Sequence, residues 1–208
     1  MFRNLLKPDS ALMIVMSNIT DCIFLSLFWM LCCFPVITVG AAFAALYDAS
    51  FRSMRQGEKN SWKRFLHVLR TNWKIGIVPG FVVVLVLMIV GLGLIQFWNG
   101  AAAGQVSMLL FAAVAFLAVL VLGIVSLVFP ILSRFENGAL SVLRNAFLLG
   151  LVNLPRTLGL GILNAVTIFF CARYIIPLFF LPSLACLLGS WLIEPMFKPF
   201  MEENEAAE

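Results

Sequence analysis

Between Ile75 and Ser133 the chain runs for 59 residues without one Asp, Glu, Lys or Arg. Nothing else in the sequence restricts the fold as much. A helix crossing lipid needs about 20 apolar residues, so this run holds two spans. From Thr157 to Ile193 only Arg173 interrupts a second apolar stretch, which holds two more. Over all 208 residues, 62% are hydrophobic and 12% charged, whereas a soluble domain has about 25% charged residues. Charge so sparse cannot cover a water-facing surface. A soluble enzyme, a secreted domain and a nucleic-acid binder are thereby excluded. The apolar runs are continuous and lack the alternation of barrel strands. The expected fold class is all-α: a polytopic helical membrane protein in a lipid bilayer.

Residues 11–47 are also mostly apolar, about 55 Å as one helix, against a hydrocarbon core about 30 Å thick. Pro35 divides them, because proline disfavours helical geometry in the residue before it. The reading is one helix over 10–33 and another over 38–54, turning at Phe34-Pro35-Val36-Ile37. A cleaved leader ending at Ala42-Phe43-Ala44 would be far longer than the usual 15–30 residues, so these helices are expected to be retained. Further membrane segments are expected at 75–98, 106–132, 157–172 and 176–194, and interfacial helices at 61–74 and 136–152, the latter ended by Pro155. Together these form one transmembrane domain over residues 1–200. The tail, 201–208, carries four glutamates and reads as solvated and disordered.

Orientation follows from the placement of Lys and Arg. Six segments with both termini in the cytoplasm leave 13 basic residues inside and only Arg173 outside. Treating 11–47 as one span gives five segments and a count of 11 to 3. Both arrangements put the basic stretch 52–74 in the cytoplasm. There, Trp62, Phe65, Leu66, Leu69 and Trp73 fall on one face of a helix, with Asn60 or Ser61 as its cap. A basic amphipathic helix edged by tryptophan reads as interfacial, so Lys63, Arg64, Arg70 and Lys74, with Trp62 and Trp73, are candidate contacts for lipid phosphates or a partner. Gly40, Ala41, Ala44, Ala45 and Ala49 give the small-residue spacing that lets helices approach closely in lipid.

Chemistry-bearing residues are few. Asp21 is expected near the middle of the first helix, where a carboxylate is costly. Asn18 is its candidate neighbour, and Asn164 or Thr167 are candidate partners. Tyr47-Asp48 resembles the first aspartate motif of intramembrane aspartyl proteases, but those need a second aspartate at the same depth. Only Asp9 and Asp21 remain, and no G-x-G-D occurs. Asp48 is read instead as a helix-end charge beside Arg52 at i+4. The lone His67 has no ligand partners at metal spacing. The five cysteines sit inside apolar runs and read as packing residues. Arg173 beside Tyr174 reads as a snorkelling side chain. No hydrolase, zinc or nucleotide motif is present, so no enzyme, metal or cofactor is expected.

The run Cys33-Phe34-Pro35-Val36-Ile37-Thr38-Val39-Gly40-Ala41-Ala42-Phe43-Ala44-Ala45-Leu46-Tyr47 resembles the N-terminal signature of YesL-type proteins, small multi-pass membrane proteins mostly of Gram-positive bacteria. Arg55-Gln56-Gly57-Glu58 fills the place of the basic stretch that follows in that pattern. Asn72-Trp73-Lys74 matches its Asn-Phe-Lys, with Trp replacing Phe. The segments 143–147 and 153–158 are similar as well. The resemblance implies no catalytic residues. It implies an accessory role beside ABC-type carbohydrate importers, with permease or sensor-kinase subunits as partners. Two other readings are a stand-alone small transporter or channel using Asp21, and a membrane assembly or signalling partner.

Overall fold

The structure, a computed structural model, describes residues 11–35, 38–56, 60–104, 106–134 and 138–205, with side chains over 19–35, 38–53, 55, 60–104, 106–134 and 138–197. Among them lie seven α-helices and no strand: α1 (Ala11–Cys33), α2 (Val39–Gln56), α3 (Ser61–Ala102), α4 (Met108–Arg134), α5 (Ala139–Val152), α6 (Leu154–Arg173) and α7 (Leu181–Glu205). A 3-10 turn, Ile176–Phe179, joins the last two.

Pro35 follows the end of α1, and Thr38 repairs the backbone there. Its hydroxyl donates to the carbonyl of Pro35 at 2.8 Å and also to that of Cys32. Helix ends leave carbonyls without partners, so the Pro-x-x-Thr spacing closes the turn. Val36 and Ile37 lie outside the described residues, as does the Glu58 of the basic stretch.

α2 is the central helix and packs against α1, α3, α4 and α7. Its run from Ala44 to Ser50 is buried throughout. The α2–α3 crossing is very close: a Cβ on Gly40 would lie 2.2 Å from the Gly76 carbonyl oxygen, and one on Gly80 would lie 2.6 Å from the Gly40 nitrogen. α4 and α6 repeat the device, since a Cβ on Gly123 or Gly161 would meet the facing backbone at 2.0 Å. Without a hydrophobic drive between helices in lipid, such close backbone packing is what holds them together.

α3 departs from expectation. Residues 61–74 and 75–98 form one helix of 42 residues, about 63 Å long, instead of an interfacial helix followed by a separate span. No breaker stands between Trp73 and Gly76, and a buried stripe of Phe65, Val68, Gly76, Gly80 and Val83 holds the inner face throughout. The basic third therefore runs into the apolar part on one continuous helix, which also carries the buried Pro79 in its interior.

The second amphipathic helix is α5, and Pro155 does not end it directly. Asn153 separates α5 from α6, and Pro155 sits in the first turn of α6, where its missing N–H costs no hydrogen bond. α7 runs on through Glu205 into the stretch expected to be a disordered tail. Burial of Met196 and Phe197 in the core extends it past 194. Residues 206–208 lie outside the described residues.

α3, α4 and α6 are long and apolar enough to cross a membrane. α1 and α7 carry shorter apolar stretches, Ile19–Cys33 and Leu181–Phe197. α2 is enclosed by its neighbours. Phe81, Met88, Ile89, Leu109, Phe116 and Phe169 are each at least 59% exposed around the spans, and an apolar belt of this size needs a nonpolar surrounding.

Candidate functional site at the charged end of the bundle

The α1–α2 hairpin brings residue 21 opposite residue 53, and α3 starts beside them. Ser53 donates its hydroxyl to Asp21 Oδ2 at 2.7 Å and lies 2.9 Å from the Ser61 hydroxyl. Asp21 thus ties three helices at the charged end of the bundle, not at its apolar middle. Asn164 and Thr167 are not its partners: each donates to a carbonyl four residues back on α6. The side chain of Asn18 lies outside the described residues.

One turn along α2, Asp48 is 1% exposed. Arg52 Nε donates to its Oδ1 at 3.2 Å, the i+4 pair expected from the sequence. Arg64 Nε on α3 donates to its Oδ2 at 2.6 Å. Arg64 is therefore turned inward and differs from the other cations of its segment. Lys63, Arg70 and Lys74 are exposed, and Lys63 and Lys74 lie 5.6 and 5.9 Å from the rings of Trp62 and Trp73. Those two tryptophans are half exposed, whereas Phe65 is buried against Leu25, Ala45, Leu46 and Ala49. The predicted aromatic face is thus divided between bundle and surroundings.

A second ion pair lies across the bundle. Arg134, the last residue of α4, places Nη2 2.5 Å from Glu194 Oε1 on α7. Its guanidinium lies 4.6 Å from the Phe51 ring centroid and 5.7 Å from that of Phe197. Tyr47 donates its hydroxyl to the same Glu194 oxygen at 3.4 Å. Ser50 meets Ser183 at 2.9 Å, and Arg55 Nη1 lies 3.4 Å from the Ser190 carbonyl. α2 is the hub of these contacts.

The packing residues Gly40, Ala41, Ala44, Ala45 and Tyr47 are all buried on α2, with Pro35 and Thr38 at its start. Sequence reasoning missed their counterpart on α3, although Gly76-x-x-x-Gly80 shows the same small-residue spacing. It also missed Arg134 and Glu194, which lie 60 residues apart on different helices. At the other end, the Arg173 guanidinium lies 5.6 Å from the Tyr174 ring, as its sequence position suggests. Together these contacts fix α1, α2, α3, α4 and α7 against one another at the charged end of the bundle.

No curated protein and no solved structure matches the chain. Residues 22–94, covering α1 from Cys22, α2 and most of α3, match the family described as "Protein of unknown function, DUF624". This is the stretch that contains the Pro35–Tyr47 signature, the Gly40–Gly80 crossing and the Asp48 ion pairs, so the similarity to that family falls on the first three helices, about a third of the chain.

Proposed function

We propose that the chain is a non-catalytic integral membrane accessory protein that assists or regulates an ABC-type carbohydrate importer in a Gram-positive bacterium. The observation that carries this reading is the form of α3. One unbroken helix joins a membrane-crossing segment to a basic arm. The inner side of that arm is fixed by Arg64 on Asp48, and its outer side presents Trp62, Lys63, Arg70, Trp73 and Lys74. Such an arm is preorganised, so a partner docks without first ordering it. By the placement of its cations the arm belongs in the cytoplasm, together with both termini, in the cell membrane. The resemblance to YesL-type proteins directs the reading to permease or sensor-kinase subunits.

Each cation near an anionic surface contributes about 1 kcal/mol, so the three exposed ones hold the arm by about 3 kcal/mol before any protein contact. The test is co-purification from native membranes in a mild detergent, comparing the wild type with a Lys63→Gln, Arg70→Gln, Lys74→Gln variant. Arg64 is left intact because it holds the fold. The proposal predicts recovery of importer or kinase subunits with the wild type and a several-fold loss with the variant at equal expression. Recovery of neither with the wild type overturns it.

A transport role turns on Asp21. Its tie to Ser53 and Ser61 supports a structural task, and equal proteoliposome flux by the wild type and Asp21→Asn would remove it from any transport mechanism.

A further inference from the structure

α2 and the first half of α3 run antiparallel, and contacts at both ends fix their register. Ser53 lies 2.9 Å from Ser61, and Gly40 crosses α3 between Gly76 and Gly80. α2 therefore spans residues 61–80 of α3. Within that stretch Lys63, Arg70 and Lys74 are exposed, and a cation facing hydrocarbon is costly. The hydrocarbon layer thus begins near Ile75. Gly80 lies only about 8 Å beyond that point along the helix, whereas Trp98 lies about 35 Å beyond it. α4 gives the same level independently. Phe43 stacks on Phe129 at 4.7 Å, and the Phe51 ring lies 4.6 Å from the Arg134 guanidinium. Both contacts fall in the last six residues of a helix about 40 Å long. α2 sits at the charged end.

The turn before α2 does not bridge the remaining depth. Pro35 stands five residues from Gly40, at most about 18 Å of fully extended chain. Between Gly80 and Trp98, by contrast, about 27 Å of α3 remain. α1 is tied to the same end by the Asp21–Ser53 hydrogen bond. Its apolar stretch Ile19–Cys33 is about 22 Å long as a helix, short of a hydrocarbon core about 30 Å thick. The turn is also closed against the lack of water. Unpaired backbone groups are expensive in hydrocarbon. Pro35 carries no N–H, and the Thr38 N–H donates to the Pro35 carbonyl at 3.0 Å. The Thr38 hydroxyl serves the carbonyls of Pro35 and Cys32. Leu31 and Phe34 stand clear of the bundle, 67% and 92% exposed. Side chains so apolar and so exposed need a nonpolar surrounding, and at this depth acyl chains supply it.

We infer that the α1–α2 hairpin is re-entrant: it enters from the cytoplasmic side, stops inside the bilayer at Pro35, and packs Leu31 and Phe34 against acyl chains of the cytoplasmic leaflet. This topology rests on the cytoplasmic placement of the α3 arm and not on any importer partner. The Pro-x-x-Thr spacing of the signature thereby gains a task, closing a turn where water is absent.

The test places single cysteines in the full chain, with the native cysteines changed to alanine. Intact cells and inside-out vesicles are then treated with a membrane-impermeant maleimide. Ala103→Cys, between α3 and α4, marks the outer side, and His67→Cys on the arm marks the cytoplasm. A wrong orientation is thereby told apart from a wrong hairpin. Phe34→Cys is expected to react from neither side, and to react fully once the membrane is dissolved in SDS. Labelling of Phe34→Cys from outside, the result for two crossing helices, overturns the inference. Labelling from the cytoplasmic side overturns it too, because the turn would then lie in water. Thr38→Val should make Phe34→Cys several-fold more reactive from the cytoplasmic side, and Thr38→Ser should restore protection. An unchanged rate with Thr38→Val overturns the task given to the threonine. A second measurement leaves the native cysteines in place, which keeps the test decisive if the alanine chain folds poorly. With benzoylphenylalanine at position 34, photolysis in native membranes should give phospholipid adducts detectable by mass spectrometry. Adducts with protein alone, or none, contradict the lipid contact.

Discussion

Asp48 keeps only 2% of its side chain in solvent, while its partners Arg52 and Arg64 keep 36% and 31%. The pair is therefore unequal, and removing either side has different consequences. Arg64→Leu leaves a buried carboxylate with Arg52 alone, and should cost about 3 kcal/mol, near the low end for a broken buried pair. Asp48→Asn keeps the shape and lets the half-exposed arginines turn outward, so it should cost about 1–2 kcal/mol, the scale of lost buried hydrogen bonds. The double variant should cost less than the sum, because the two groups share one interaction. Chemical denaturation in a mild detergent measures all three. Equal losses for the two single variants would contradict the asymmetry. Arg134 allows a similar test. Its planar fork both bonds Glu194 and lies against Phe51 and Phe197, and lysine reproduces neither geometry. Arg134→Lys should lower stability by about 1–2 kcal/mol on the cation–π scale for desolvated pairs. At this scale the sequence was legible only locally. The i+4 spacing of Asp48 and Arg52 shows itself, whereas Arg64 arrives from the next helix across a loop. Asp21 was placed by counting along α1, and its true level depends on where the hairpin at Pro35 turns.

Among the elements, the helix positions were readable from apolar runs and prolines, and α1, α2, α4 and α6 lie within a few residues of their expected bounds. α3 was not, because an amphipathic segment and an apolar one have different periodicities even when one unbroken backbone carries both. The small residues of α2 announced a close crossing, but their partner on α3 is set by tertiary packing. That crossing has a sharp consequence. A Cβ on Gly40 meets backbone at 2.2 Å, whereas a Cβ on Gly91 meets nothing within 4 Å. Gly40→Ala should therefore destabilise by about 1–3 kcal/mol through overpacking. Gly91→Ala in the same bundle should be neutral or stabilising by up to about 1 kcal/mol from helix propensity. Thermal unfolding of both purified variants checks the contrast, and a loss of similar size at the two sites would contradict the proposed helix contact.

For the molecule as a whole, the class was legible from the 59 uncharged residues alone, because no soluble fold tolerates so long a run. The distribution of roles was not. Three helices are long and apolar enough to cross a membrane, while α2 is surrounded by other helices. Enclosure by protein and immersion in lipid both select apolar residues, so hydropathy does not separate them. The central claim is that α3 is a single continuous helix that crosses the bilayer and carries its basic arm beyond it. Nitroxide scanning along α3 in reconstituted vesicles tests this most directly, through collision with an aqueous nickel complex and with oxygen dissolved in lipid. The account predicts nickel accessibility at Lys63, His67 and Arg70, and oxygen accessibility without nickel at Phe81, Leu85, Met88 and Leu92. Helix-periodic accessibility should continue without a break through Lys74 and Ile75. A break in that periodicity near 74–75, or nickel reaching 85 and 88, would contradict it.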